Sequence, residues 1–139
     1  ILVVVLILIT VLILIHRSIN NKPREKTMFL MSSMDSAVRY FHENYNKPIC
    51  IEDYAAEQHM SVSWFIRNFK EYTEVTPTQY LLSLRISNAQ TLLETTNYNV
   101  TEISEIVGYD NPLYFSRLFK KQVGMSPSEF RKHLSEKAT

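Results

Sequence analysis

The chain has 139 residues, a formal net charge of +1, one cysteine and only two glycines. That leaves room for one domain or two very small ones, excludes an internal disulfide, and leaves Gly108 and Gly124 as too few for a phosphate-cradling loop. His16, His42, His59 and His133 are scattered, and no His/Cys/Asp/Glu group has metal-ligand spacing. No enzyme, cofactor or metal is therefore expected, and Cys50 reads as a buried structural thiol in a reducing compartment.

The chain opens with "ILVVVLILITVLILIHR", apolar through Ile15 except for Thr10. As a helix, fifteen residues reach about 22 Å at 1.5 Å each. A bilayer core of about 30 Å asks for roughly 20. The stretch begins without Met, so the expectation is a transmembrane helix truncated at its start, over residues 1–16. A signal peptide fits poorly, with no basic leader and no small-residue cleavage site. A buried helix would need apolar cover on every side. Arg17, Lys22, Arg24 and Lys26 come next, opposed only by Glu25, and such a flank stays cytoplasmic. Residues 17–34 read as a juxtamembrane linker, with "SINNKPREK" broken by Pro23.

From Met28 on, helical periodicity dominates and no strand pattern appears. Val38, Phe41 and Tyr45 mark one face of a helix that ends at Asn46, Lys47 and Pro48. Residues 51–59 predict a short helix with Tyr54 and Ala55 inward, and Ser61 caps a second over 62–72. Thr76 and Pro77 begin a long helix through Tyr80, Leu81, Leu84, Ala89, Leu92 and Leu93, stopping near Thr95 to Asn99. Short helices over 100–109 and 111–123 come after it, the latter capped by Asp110, and a closing helix begins at 126–134.

A repeat lies across these elements. At an offset of 50, Phe65, Arg67, Phe69, Lys70 and Pro77 overlay Phe115, Arg117, Phe119, Lys120 and Pro127. Trp64 meets Tyr114, Thr76 meets Ser126, and Tyr80 meets Phe130. Upstream the offset is 49, pairing Ile51 with Val100 and Ala55 with Ser104, so one residue is inserted in the turn between the short helices. Each copy has the pattern of a helix-turn-helix. A core needs Phe-x-x-x-Phe; it does not need Arg and Lys repeated beside it. Ser63, Ile66 and Arg67 of the first copy, and Leu113, Ser116 and Arg117 of the second, are left to face bases in a major groove. Ser61, Trp64, Lys70, Asn111, Lys120 and Lys121 are assigned to phosphates.

Charge argues the other way. Residues 27–139 hold 11 Lys/Arg against 13 Asp/Glu, which lacks the basic footprint of many DNA binders. It favours an alternative, a helical protein-interaction output module of a membrane receptor.

The second copy, "ISEIVGYDNPLYFSRLFKKQVGMSPSEFR", resembles the signature of the AraC/XylS family of bacterial transcription regulators. Gly108-Tyr109, Tyr114-Phe115-Ser116-Arg117, Phe119-Lys120-Lys121, Gly124, Ser126-Pro127 and Phe130-Arg131 carry the likeness, with Arg85, Ala89, Leu92 and Leu93 between the copies. Glu74 departs from a usual Gly, so the first recognition helix is expected to end without an easy left-handed cap. Ser104 replaces a usual Ala, and Ile66 stands where a polar base reader is common.

The resemblance implies an all-α, homeodomain-like fold over residues 35–134: two helix-turn-helix subdomains joined by a long linker helix, with residues 135–139 as a tail. It implies binding to double-stranded DNA in adjacent major-groove segments about one turn apart. It also implies contacts with RNA polymerase and a sensor domain upstream of Ile1. With the membrane segment, it places the protein at the bacterial cytoplasmic membrane with its DNA-binding domain in the cytoplasm.

Overall fold

The computed structural model describes residues 1–139 as seven α-helices and no strand: α1 (Leu2–Asn44), α2 (Ile51–Glu57), α3 (Val62–Thr73), α4 (Pro77–Thr95), α5 (Val100–Ile106), α6 (Pro112–Val123) and α7 (Pro127–Lys137). The chain divides into two units, Ile1–Ala37 and Val38–Thr139.

In the first unit the apolar side chains of Ile1–Ile15 are all exposed, none below 45%. By length and composition α1 can cross a membrane. The helix does not break at Pro23, contrary to the linker expected over residues 18–26. A proline inside a helix removes one backbone donor and costs about 3 kcal/mol. Good helix formers on both sides, Lys22 and Arg24 to Lys26, and the absence of glycine let the ladder continue past that single loss. Thr27 adds a local bond, its hydroxyl donating to the Pro23 carbonyl at 2.9 Å.

In the second unit, caps set the helix starts. Ser61 accepts from the Trp64 N–H at 3.2 Å. Thr76 with Gln79, Asn99 with Glu102 and Ser126 with Glu129 form full capping boxes. The Ser126 backbone N–H, and then its side chain, hold the Glu129 carboxyl below its ordinary range. The charge-assisted half of this box, Ser126 N–H to the Glu129 carboxylate, is thus fully present at neutral pH and weakens as pH falls through that lowered value.

The repeat builds two aromatic cores. Phe41, Phe65 and Phe69 are fully buried, and Phe69 meets Phe41 at 5.4 Å and Tyr80 at 5.5 Å. In the second core Ile86, Ala89, Leu93, Ile103, Val107 and Tyr109 surround Phe115 and Phe119. The long α4 serves both: Tyr80 enters the first core, while Ile86, Ala89 and Leu93 enter the second. Ser104 is buried within the second unit, and its hydroxyl is satisfied by the Thr101 carbonyl at 2.8 Å.

The two copies match at the level of backbone. His59 (φ +59°) and Gly108 (φ +99°) make the same left-handed turn after α2 and α5. Met60 N–H donates to the Ala55 carbonyl, and Tyr109 N–H to that of Ser104, each at 2.8 Å. Ser61 comes directly after Met60, whereas Asp110 intervenes before Asn111, so Asp110 is the inserted residue. It is not the cap of α6. Asn111 caps it, accepting from Leu113 N–H at 3.0 Å and Tyr114 N–H at 3.1 Å. The cap must align with Ser61, and the offset of 50 selects Asn111.

At Glu74 the left-handed cap forms, but not easily, and at Cys50 an expectation is corrected. Glu74 does adopt a left-handed cap (φ +70°), as Gly124 does in α6 (φ +93°), and each donates its N–H four residues back at 2.8 Å. The turn into α4 imposes that conformation despite the Cβ, at a cost of about 1–2 kcal/mol. Glu74→Gly is accordingly expected to stabilise the chain by about 1 kcal/mol, read as a higher urea midpoint; an unchanged or lower midpoint removes the strain from the account. Cys50 is exposed rather than buried, because it sits at the solvent-facing start of α2. Its thiol donates to Glu52 at 3.2 Å. The Asp53 backbone favours the thiolate, but the Glu52 carboxylate and the Asp53 charge prevail and hold the thiol above its ordinary pKa.

Candidate nucleic-acid interface

Burial of Phe65 and Phe69 on one side of α3 decides what the other side presents. Ser63, Ile66, Arg67 and Lys70 are all exposed, at i, i+3, i+4 and i+7, and so form one stripe along the helix. Phe115 and Phe119 do the same for α6. There Leu113, Ser116, Arg117 and Lys120 hold the equivalent positions, with Leu113 72% exposed and Ser116 half-buried. Lys121 is exposed one residue on, and Trp64 is half-buried where Tyr114 is exposed.

The cap residues keep part of their chemistry free. The Ser61 oxygen accepts from the helix, which leaves its O–H to donate outward. Asn111 spends its carbonyl oxygen on two N–H groups and retains its amide as donor. Both can therefore serve a phosphate at the start of a recognition helix.

Charge is unequal between the copies. α3 carries Arg67 and Lys70 against Glu71, whereas α6 carries Arg117, Lys120 and Lys121 with no acid. The exposed acids Glu52, Asp53 and Glu57 lie on α2. The overall negative balance thus coexists with a basic α6.

The arginines separate into two kinds. Arg131 on α7 donates to the carbonyls of Leu93 (3.1 Å), Thr96 (3.1 Å) and Tyr98 (2.6 Å) and holds the loop before α5. Arg85 on α4 donates to those of Tyr45 (2.7 Å) and Lys47 (3.1 Å) and holds the loop before α2. Its guanidinium also lies 5.2 Å from the centre of the Tyr109 ring. Burial pushes the Tyr109 phenol above its ordinary pKa, with Arg85 opposing. Arg67 and Arg117 are exposed and make no such clamp. Sequence reading missed the two clamps. A signal was present for Arg85, which sits four residues from both Leu81 and Ala89 on the buried stripe of α4.

Two helix-turn-helix units, each presenting a polar and basic stripe on its second helix, define a tandem helix-turn-helix protein. A family model described as "Helix-turn-helix domain" matches residues 54–133. The chain is 39% identical over 101 residues to the uncharacterized HTH-type transcriptional regulator YisR of Bacillus subtilis, covering 73% of this chain and 35% of that protein. It spans about a third of the length of the curated relatives it matches first. Among solved structures, the DNA-binding domain of the global transcriptional factor AdpA, in complex with a target DNA, is 31% identical with a TM-score of 0.71, covering 75% of this chain and 94% of that one. The C-terminal domain of AraT, a response regulator from Geobacillus stearothermophilus, is 30% identical with a TM-score of 0.70, covering 72% and 84%. The chain belongs to the AraC/XylS family of helix-turn-helix transcription regulators. The all-helical tandem fold and the family expected from the sequence are both borne out. Membership lends no support to the protein-interaction alternative.

Proposed function

We propose that this chain is the DNA-reading part of a membrane-tethered AraC-type transcription regulator. The observation that carries the reading is the pair of matching exposed stripes on α3 and α6, fifty residues apart in sequence and each backed by two buried phenylalanines. Ser63, Ile66 and Arg67 read one major-groove segment; Leu113, Ser116 and Arg117 read the next. Arg suits a guanine edge, and Ile66 and Leu113 suit a thymine methyl. Ser61, Trp64, Lys70, Asn111, Lys120 and Lys121 position the helices on phosphates. A target DNA bound by the AdpA domain supports the same mode for this chain.

The tether is residues 1–16. Its apolar side chains are exposed all round the helix, and the basic flank of Arg17, Lys22, Arg24 and Lys26 favours a cytoplasmic position for residues 17–139. A sensor region upstream and contact with RNA polymerase complete the proposed regulator.

Selection from a random-sequence duplex library with the full chain in detergent micelles tests the DNA reading: a two-part, non-palindromic site is expected, and failure to enrich any site refutes it. Membrane pellets washed at alkaline pH test the tether; release of the chain into the supernatant refutes it. Removal of one phosphate-binding side chain should flatten the salt dependence by about 0.9 in log–log slope. Lys120→Ala and Lys121→Ala are each expected to do so across all sequences alike, and an unchanged slope removes that lysine from the phosphate set.

A further inference from the structure

The loop after α1, Tyr45–Lys47, is held from two sides. Arg85 of α4 binds the Tyr45 and Lys47 carbonyls, and the backbone of Gly108 lies directly against Asn46. A Cβ on Gly108 would come within 3.1 Å of the Asn46 carbonyl carbon and oxygen and 3.2 Å of the Tyr45 oxygen, and its φ of +99° already disfavours a side chain. Gly108 belongs to the turn of the second helix-turn-helix, whereas Tyr45–Lys47 lead into the first. The next residue, Tyr109, takes the Arg85 guanidinium on its ring. Tyr109 in turn packs on Tyr114 at 6.1 Å and Phe115 at 5.6 Å, in the first turn of α6.

One arginine on the shared helix thus touches the entry to the first reader and the base of the second. Arg131, the other clamp, bonds only to the last turn of α4 and the connection from it to α5. Open clefts flank Arg85 on either side of its contact with the loop. Cavities of about 580 Å³ and 510 Å³ share Ile49, Arg85, Gly108 and Asp110 in their walls. Beside this open space, the Arg85 fork and the close approach of Gly108 to Asn46 join the entry to α2 and the turn before α6.

We propose that Arg85, the Tyr45–Lys47 carbonyls, Gly108 and Tyr109 form a joint that fixes the two recognition helices relative to each other and thereby sets the half-site spacing this chain accepts. Arg85 is a positioning residue: it touches no DNA. The inference rests on the proposal that α3 and α6 each enter a groove.

The test uses the full chain in detergent micelles and the duplex that the wild type enriches from a random library. One base pair is added or removed between the half-sites, which turns the second half-site by about 34° and shifts it by about 3.4 Å. Wild type is expected to lose about tenfold or more in affinity at either change, and Arg85→Met less than about threefold, with half-site base preferences unaltered. Tyr109→Leu should fall between. A merely structural Arg85 would weaken every spacing in proportion; an unchanged spacing ratio in Arg85→Met overturns the joint while leaving the DNA reading intact. If the wild type enriches no two-part site, both fall. Should circular dichroism show Arg85→Met unfolded, Arg85→Lys keeps the charge and much of the length but loses the fork, and is judged by the same ratio.

Discussion

Arg117→Ala is expected to cost about 1–3 kcal/mol in binding to the selected duplex, roughly a 5- to 150-fold loss, and to relax preference at one base pair. Arg117 is exposed in the middle of the α6 stripe, one turn on from the 72%-exposed Leu113. It differs from Arg85 and Arg131, whose guanidinium groups are already committed to backbone carbonyls. Nothing acidic within α6 competes for it. Arg117→Lys sharpens the result: the charge stays, but the bidentate fork that suits guanine is gone. It should therefore keep more affinity than alanine while losing the base preference. Titrations against the selected duplex and its single-base variants read both quantities. Unchanged affinity and unchanged preference in Arg117→Ala would remove the recognition role from α6.

Phe119→Ala should destabilise the second core by about 3–5 kcal/mol. The side chain is fully buried, with Phe115 at 5.9 Å and Phe130 at 5.6 Å, so truncation leaves a void lined by rings. Against a typical total of about 5–15 kcal/mol, that loss is a large fraction of domain stability. Phe119→Leu, which retains most of the volume, should cost markedly less. Phe69→Ala is the matching change in the first core, where Phe41 and Tyr80 flank the ring. Urea unfolding monitored by circular dichroism gives the midpoints. Equal midpoints for wild type and Phe119→Ala would contradict the packing. DNA affinity should fall with folded fraction in Phe119→Ala, whereas in Arg117→Ala it should fall with the fold intact.

Several helix starts were legible because capping is local. Ser61, Thr76 and Ser126 sit three residues before the N–H they satisfy, and Pro77 and Pro127 announce the first turns. Near Asn111 the same reasoning chose the wrong neighbour. Asp110 and Asn111 are both good caps, and the choice depended on where the inserted residue of the second turn falls. Pro23 misled in the opposite direction, since propensity on either side outweighed one missing donor. Glu74 shows a residue's preference overridden: the left-handed cap is set by the turn into α4, whichever side chain occupies it.

The doubled Phe-x-Arg-x-Phe-Lys was enough to place two cores and two outward stripes, because helical spacing assigns a side chain to a face without reference to the rest of the chain. Helical spacing could not tell Arg85 and Arg131 from Arg67 and Arg117. Each pair consists of arginines on helices, and their roles diverge through partners 33 to 40 residues away. A guanidinium becomes a clamp only when a loop with unpaired carbonyls is folded across it, and becomes a reader only when nothing is. Cys50 belongs with the clamps in this respect: its exposure is set by how the segment before α2 packs, not by the apolar character of a thiol. Periodicity specifies faces; the crossing of distant segments specifies which polar groups on those faces remain free.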